Sequence, residues 1–286
     1  MNRYANFYFI IIVIIILNSC EFQNNEYKPK GLKQMTKEEL INMAQIGNFP
    51  DLDVLVYKNQ KGETISRDSF TKIKIPIGFD SYIDKDNIVR EIVIRPANNE
   101  DVLLKEEMDL AIKNGPVINI RDIDCLSIGS ILDSVYIKDQ KNRADINNIS
   151  WKVDNENLEL VISIIEKCGM PTKNTLSEKQ ISAIWLVIQH SALRHQIKYL
   201  PILKKAANNG DLDIGFIAML EDRILIGQGE PQIYGTQVDI DAHTGKYKLI
   251  ETINPEYLNR RRKEVGLEPI EYYLEYFGAE FSVPQK

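Results

Sequence analysis

The sequence predicts an α+β protein, a mainly helical C-terminal domain with a β-hairpin preceded by a small α+β domain. Three observations point there. Between Leu52 and Ile94 apolar residues alternate with polar ones, the period of half-buried strands. From Ile123 onward apolar residues recur at helical spacing between cap and stop residues. The 286 residues are 44% hydrophobic and 27% charged, a globular composition and not a disordered or fibrous one. Lys and Arg number 35 against 41 Asp and Glu, and the net charge of -6 argues against nucleic acid as a partner.

Residues 1–19 read as an export signal. Arg3 supplies the early cation, and Phe7–Leu17 is an unbroken apolar or aromatic run. Its eleven residues span about 16 Å as a helix, roughly half the hydrocarbon core of a bilayer. Leu17-Asn18-Ser19-Cys20 resembles the lipobox of bacterial lipoproteins. That resemblance implies cleavage before Cys20 and acylation of its sulfur, so the expected partner is a membrane and the expected place the cell envelope, on its extracytoplasmic side. Residues 20–35 read as a polar tether. Removing 1–19 takes Arg3 and no acidic residue, leaving 267 residues with 34 basic and 41 acidic groups. Cys125 and Cys168 then remain in an oxidising compartment, where a disulfide between them is allowed. Their apolar neighbours Ile123, Leu126, Ile164 and Ile165 point instead to buried free thiols.

The α+β domain is expected over 36–121. Thr36-Lys37-Glu38-Glu39 is a capping box opening a helix to about Ile46. Val54 and Val56, Ile73 and Ile75, and Ile92 and Ile94 mark three strands, with turn clusters at Lys58–Gly62 and Asp84–Asn87. The second cluster lacks the glycine and closing glutamate of an EF-hand, so it reads as a turn. A helix from about Asn99 to Lys113 ends at Asn114-Gly115-Pro116.

The helical domain is expected over 122–286. Asp154 can cap a helix running to Cys168, stopped by Gly169 and Pro171. Ser177 with Gln180 forms a second capping box, and the helix it opens is apolar nearly all round, hence central. Further helices are expected at Leu193–Ala207, with Pro201 inside, and from Asp211 to about Ile226. Gln232–Ile240 and Lys246–Glu251 read as a hairpin around His243. Asn254-Pro255 starts a helix ending near Gly266, and a last aromatic helix covers about Pro269–Phe277.

Candidate functional residues are polar groups where the pattern says buried. His190 shares a helix stripe with Ala183, Leu186 and Val187 and needs a partner. Glu221-Asp222-Arg223 interrupt an apolar helix and cover about 200° of arc, so at least one faces the packed side. In a strand Gln232, Tyr234 and Thr236 form one row, with Gly235 and Gln237 beside them. Asp139, Gln140 and Arg143 lie within one helical turn.

These sets, together with Trp185, Gln189 and the stretch Arg260–Ile270, resemble the uncharacterised domain-of-unknown-function family 6624 over about 123–275. The tyrosine-glycine-threonine-glutamine run is the most specific part. The resemblance implies that these positions share one design, and implies no reaction.

There is no His-Glu-x-x-His, and His190 and His195 stand about 140° apart on a continuous helix, so no metal is expected. There is no nucleophile elbow and no phosphate loop, so no cofactor is expected. Arg260-Arg261-Arg262-Lys263 reads as a solvated face. Two functions remain. One is a pocket for a small polar or anionic ligand, or an envelope partner, built from Asp139, Gln140, Arg143, Arg223, Gln232, Tyr234, Thr236 and Gln237. The other is a hydrolase with His190 as general base, Asp222 or Glu221 orienting it, Arg223 stabilising charge and water as nucleophile. A purely structural polar core is the third reading.

Overall fold

The computed structural model describes residues 27–52, 54–66, 69, 76–145, 149–241 and 244–286. The export signal, Cys20, the strand expected at Ile73–Ile75 and His243 lie outside the described residues. The chain divides into two compact units at Ile112/Lys113, earlier than the expected 121/122.

In the first unit, helix α1 (Lys37–Ile46) starts at the predicted capping box: Thr36 Oγ1 accepts from Glu39 N, and Glu39 Oε2 accepts from Thr36 N at 2.8 Å. Gly47 ends it in the left-handed region at φ 74°, which costs a residue without Cβ nothing. Strands β1 (Lys33–Gln34), β2 (Val56–Asn59), β3 (Ile77–Ile83) and β4 (Val89–Pro96) form one sheet in the order β1-β3-β4-β2. Only the β2–β4 pair is parallel. Two expectations are corrected here. The tether does not extend to residue 35, because β1 pairs with β3 and Tyr27 N donates to Gln60 O. The inward face of β2 is also shifted by one residue: Leu55 and Tyr57 are buried, whereas Val54 and Val56 are exposed. Tyr57 decides this, because its ring carries more apolar area than a valine and its hydroxyl still reaches Leu52 O at 3.1 Å. The predicted turn at Asp84–Asn87 joins β3 to β4, with Asp84 Oδ1 accepting from Asp86 N and Ile88 N. Helix α2 (Asn99–Asn114) begins at Asn98, whose side chain accepts from Glu100 N and Asp101 N.

The second unit is a helical bundle: α3 (Ile128–Arg143), α4 (Trp151–Cys168), α5 (Glu178–His190), α6 (Leu193–Asn208) and α7 (Ile214–Gln228). As expected, α5 is the central element. It packs against α3, α4, α6 and α7, and it buries Ile181, Ala183, Ile184, Trp185, Val187 and Ile188. Trp185 stacks on Phe216 at 4.1 Å between ring centres and donates from Nε1 to Phe216 O at 2.8 Å, joining α5 to α7. Helix α4 is capped by Ser150, not Asp154, since the Ser150 hydroxyl accepts from Val153 N. That leaves the Asp154 carboxylate for another use. Cys125 and Cys168 form a disulfide, with Cα atoms 5.7 Å apart, and Cys125 is exposed, so the buried-thiol expectation is overturned. His190 and His195 sit on two helices separated at Ser191, not on one continuous helix.

The hairpin is shorter than expected. Only β5 (Val238–Ile240) and β6 (Tyr247–Leu249) pair, and Gln232 makes a single bridge to Thr252. Pro255 opens a 3-10 turn that leads into α8 (Leu258–Glu264), and α9 (Ile270–Glu275) follows. Leu258, Ile270 and Leu274 are fully buried as a small second core. Among the described residues no helix is long and apolar enough to cross a membrane.

Candidate functional site

Helix α7 carries two consecutive charges, buried Asp222 and half-buried Arg223, into different surroundings, because each residue turns about 100° around the helix. Asp222 is fully buried. Its carboxylate accepts from the backbone N–H groups of Ile233 at 2.7 Å, Tyr234 at 2.9 Å and Thr236 at 3.0 Å, and from the Thr236 hydroxyl at 2.9 Å. The carbonyls of the same loop are held from the other side. Arg261 donates to Ile233 O, Arg262 to Tyr234 O and Gly235 O, Tyr273 to Thr236 O and the Gln232 amide to Gln237 O. Nearly every polar backbone group from 233 to 237 therefore has a partner. Gly235 is required there: its φ is 65°, and a Cβ would stand 3.1 Å from a Leu258 methyl.

Burial pushes the Asp222 pKa up, opposed by its donors on Tyr234, Thr236 and Ile233. This loop is not the predicted strand. Gln232 and Thr236 are buried and engaged within it, so they form no ligand-facing row, and Gln237 Nε2 turns onto Thr236 Oγ1 at 3.1 Å. Tyr234 is partly exposed and gives its backbone N–H and carbonyl to the clamp. Arg261 and Arg262 are likewise not a solvated face. Arg262 is 1% exposed, the largest fully buried side chain of the described residues. Its spacing, four residues after Leu258 and three before Val265, was the available signal.

A second cluster forms at the C-terminal ends of α3 and α5. His190 Nδ1 lies 2.8 Å from Arg143 Nε and 3.1 Å from Asp139 Oδ1. Arg143 also donates to Asp154 Oδ1 at 3.0 Å and Oδ2 at 3.3 Å, the use left open when Ser150 took the cap. Asp139, 1% exposed, accepts from the exposed Gln140 amide at 3.1 Å as well. The expectation that Asp222 or Glu221 orients His190 is corrected. Asp139 and Arg143 do so, Asp222 is engaged by its loop, and Glu221 pairs with Lys204. Burial, reinforced by the charges of Arg143 and Arg223, holds the His190 pKa below its ordinary value against the pull of Asp139. The ring is therefore neutral near pH 7. Burial raises Asp139, but its interactions with His190 and the charge of Arg143 outweigh that and keep the carboxyl below the usual range.

A guanidinium N–H can only donate. With Nδ1 accepting from Arg143, the proton of the neutral ring sits on Nε2, which becomes a donor. With Nδ1 giving its proton to Asp139, Nε2 becomes a base. The shorter contact, from an obligatory donor, favours the first form, in which Arg143 and Gln140, not the ring, hold the Asp139 carboxylate. Gln189 Nε2 lies 3.4 Å from His190 Nε2, a long contact.

Arg223 completes the cluster. Its Nε is fully enclosed and has no hydrogen-bond partner among the described residues. Burial lowers its pKa, and the like charge of Arg143 lowers it further. Arg143 is balanced by Asp139 and Asp154, whereas Arg223 faces no carboxylate of its own among the described residues. The predicted residues thus fall into two groups, divided at α7: Asp222 with Gln232, Tyr234, Thr236 and Gln237 in the clamp, and Asp139, Gln140, Arg143, His190 and Arg223 in the polar centre. Sequence reasoning missed Asp154, Arg261, Arg262 and Tyr273. Among the described residues no three His, Cys, Asp or Glu side chains are grouped to hold a metal.

Fold and site define a helical bundle protein that holds a guanidinium–imidazole centre beside a rigid loop. Residues 138–284, just over half the chain, match the Family of unknown function (DUF6624), and the chain belongs to that family. The match takes in both the polar centre and the clamp. No curated protein and no solved structure matches the chain.

Proposed function

We propose that this is a lipid-anchored envelope protein whose helical unit binds an oxyanion through Arg223 and His190, on a frame of Asp139, Arg143 and Asp154. Arg223 carries the reading. Arg223 is half-buried, its Nε is enclosed, and a largely desolvated charge without a counter-charge is costly for a fold to keep. An oxyanion supplies the missing counter-charge and accepts from the Arg223 guanidinium and from His190 Nε2–H together. Arg143 cannot take that role, since its donors are engaged by His190, Asp154 and Asp139. The anchor rests on Phe7–Leu17 and the lipobox-like Leu17–Cys20.

The test is thermal stability in sodium phosphate or propionate against chloride at equal ionic strength. Saturable stabilisation is expected, about 2.7 kcal/mol at a hundredfold excess over Kd. Arg223→Met should abolish it. Equal responses of wild type and Arg223→Met would sink the proposal. Acyl labelling that persists in Cys20→Ala would sink the anchor.

The Asp139–His190 contact at 3.1 Å favours a second reading, hydrolysis with Nε2 as base toward water. In that case His190→Gln abolishes turnover and leaves anion stabilisation intact.

A further inference from the structure

Helix α3 ends at Arg143, and the half-buried residue before it, Asn142, engages both hydrogens of its Nδ2 and its Oδ1. Asn142 Oδ1 accepts from Ser150 N at 2.8 Å, while Nδ2 donates to Ser150 O at 3.0 Å and to Asp154 Oδ1 at 2.8 Å. These partners admit one amide orientation, because Ser150 N can only donate and the other two atoms can only accept. The clasp ties the last turn of α3 to the first turn of α4, which Ser150 caps. It also fixes the Asp154 carboxylate, which accepts from Arg143 Nη1 at 3.3 Å and from Nη2 at 3.0 Å. Held by that pair of bonds, the guanidinium turns its Nε–H onto His190 Nδ1 at 2.8 Å. An unbroken run of direct contacts thus leads from Ser150 through Asn142, Asp154 and Arg143 to the imidazole.

Two groups compete for Nδ1. Arg143 Nε–H can only donate to it, and the Asp139 carboxylate, 3.1 Å away, can only accept from it. The winner decides whether Nε2 carries the ring proton or a lone pair, and so whether the ring presents a donor or a base. We infer that Asn142 is the positioning residue that settles this: by locking Asp154 onto Arg143 it keeps the guanidinium on Nδ1 and presents His190 Nε2 as an N–H donor. The role asks for a carboxamide. An aspartate of the same shape would set a second carboxylate against Asp154 Oδ1 and Ser150 O. What the donor serves rests on the reading of His190 as an oxyanion contact; the position of the proton is measured without any ligand.

The experiment is NMR of the histidine ring nitrogens in the full chain, free of added anions and above the His190 titration, with His190 assigned by its loss in His190→Gln. Wild type should show Nε2 protonated and Nδ1 bare. Asn142→Ala, and the isosteric Asn142→Asp, should move the tautomer ratio about tenfold toward protonated Nδ1, because a charge-assisted hydrogen bond is lost from the Asp154 grip. In Asn142→Ala the ring should also titrate at a higher pH, since Arg143 Nε–H bonds only the neutral ring and Asp139 favours the charged one. If neither variant folds, Asp154→Asn, which spares the Ser150 clasp, should show the same tautomer shift. A purely structural asparagine would lower stability and leave the ring proton and its titration as in wild type, and that result overturns the proposal. So does a wild-type ring protonated on Nδ1, or an Asp154→Asn ring that keeps the wild-type tautomer. A wild-type Nε2–H ring in a chain that phosphate does not stabilise sinks the oxyanion reading and leaves this proposal standing. Phosphate stabilisation that requires Arg223, beside an unmoved tautomer in Asn142→Ala, refutes this proposal alone.

Discussion

Asp222→Ala removes the carboxylate that three backbone N–H groups and one hydroxyl share. The Thr236 hydroxyl can rotate toward another acceptor, but the N–H groups of Ile233, Tyr234 and Thr236 cannot, because Arg261, Arg262 and Tyr273 pin the adjoining carbonyls. Three orphaned donors at about 1–3 kcal/mol each set a floor near 3 kcal/mol, and the expected loss is about 3–5 kcal/mol. Asp222→Asn keeps one acceptor oxygen and turns an NH2 toward the remaining donors, so it should cost roughly half as much. Urea unfolding followed by tryptophan fluorescence is the assay. Both tryptophans, Trp151 and Trp185, lie in the helical unit, so the signal reports that unit alone. The midpoint should fall with the slope unchanged. A loss below about 1 kcal/mol in Asp222→Ala would refute the clamp and return Asp222 to the catalytic candidates.

Two further outcomes follow from other contacts. The Cys125–Cys168 disulfide closes a loop of 43 residues, so the Cys125→Ser, Cys168→Ser double variant should lose about 4 kcal/mol in the same assay and become insensitive to dithiothreitol; an unchanged midpoint would count against a stabilising bridge. Burial, with the charge of Arg194 adding to it, holds His195 down to about 4. Its folded pKa lies below the unfolded value of about 6.5, so its stabilisation is complete above pH 6.5 and is lost as pH falls toward 4, by about 3 kcal/mol in all. His195→Gln should flatten the stability profile across that window, and a slope equal to wild type would contradict the assignment.

Elements whose signals are local were legible in the sequence. Both capping boxes, the central position of α5, the Asp84–Asn87 turn and the α+β class depend on side chains within four residues of one another, where spacing alone fixes the contact. The inward face of β2 was not, because Leu55, Val56 and Tyr57 are all apolar and only packing selects between them. The disulfide was open for a related reason: apolar neighbours on the chain do not decide whether a cysteine ends up exposed.

The sequence by itself determined that at least one of Glu221, Asp222 and Arg223 must be dealt with inside the fold, since three consecutive helix positions cover about 200° of arc. Only the tertiary structure decided how. Asp222 is neutralised by a loop 11 to 14 residues further on, while His190 finds Asp139 at a separation of 51. Pairings at such distances are set by how helices pack, and a helix period carries no information about its neighbour's face. That packing turns Asp222 into structure and leaves Arg223 without a carboxylate partner among the described residues.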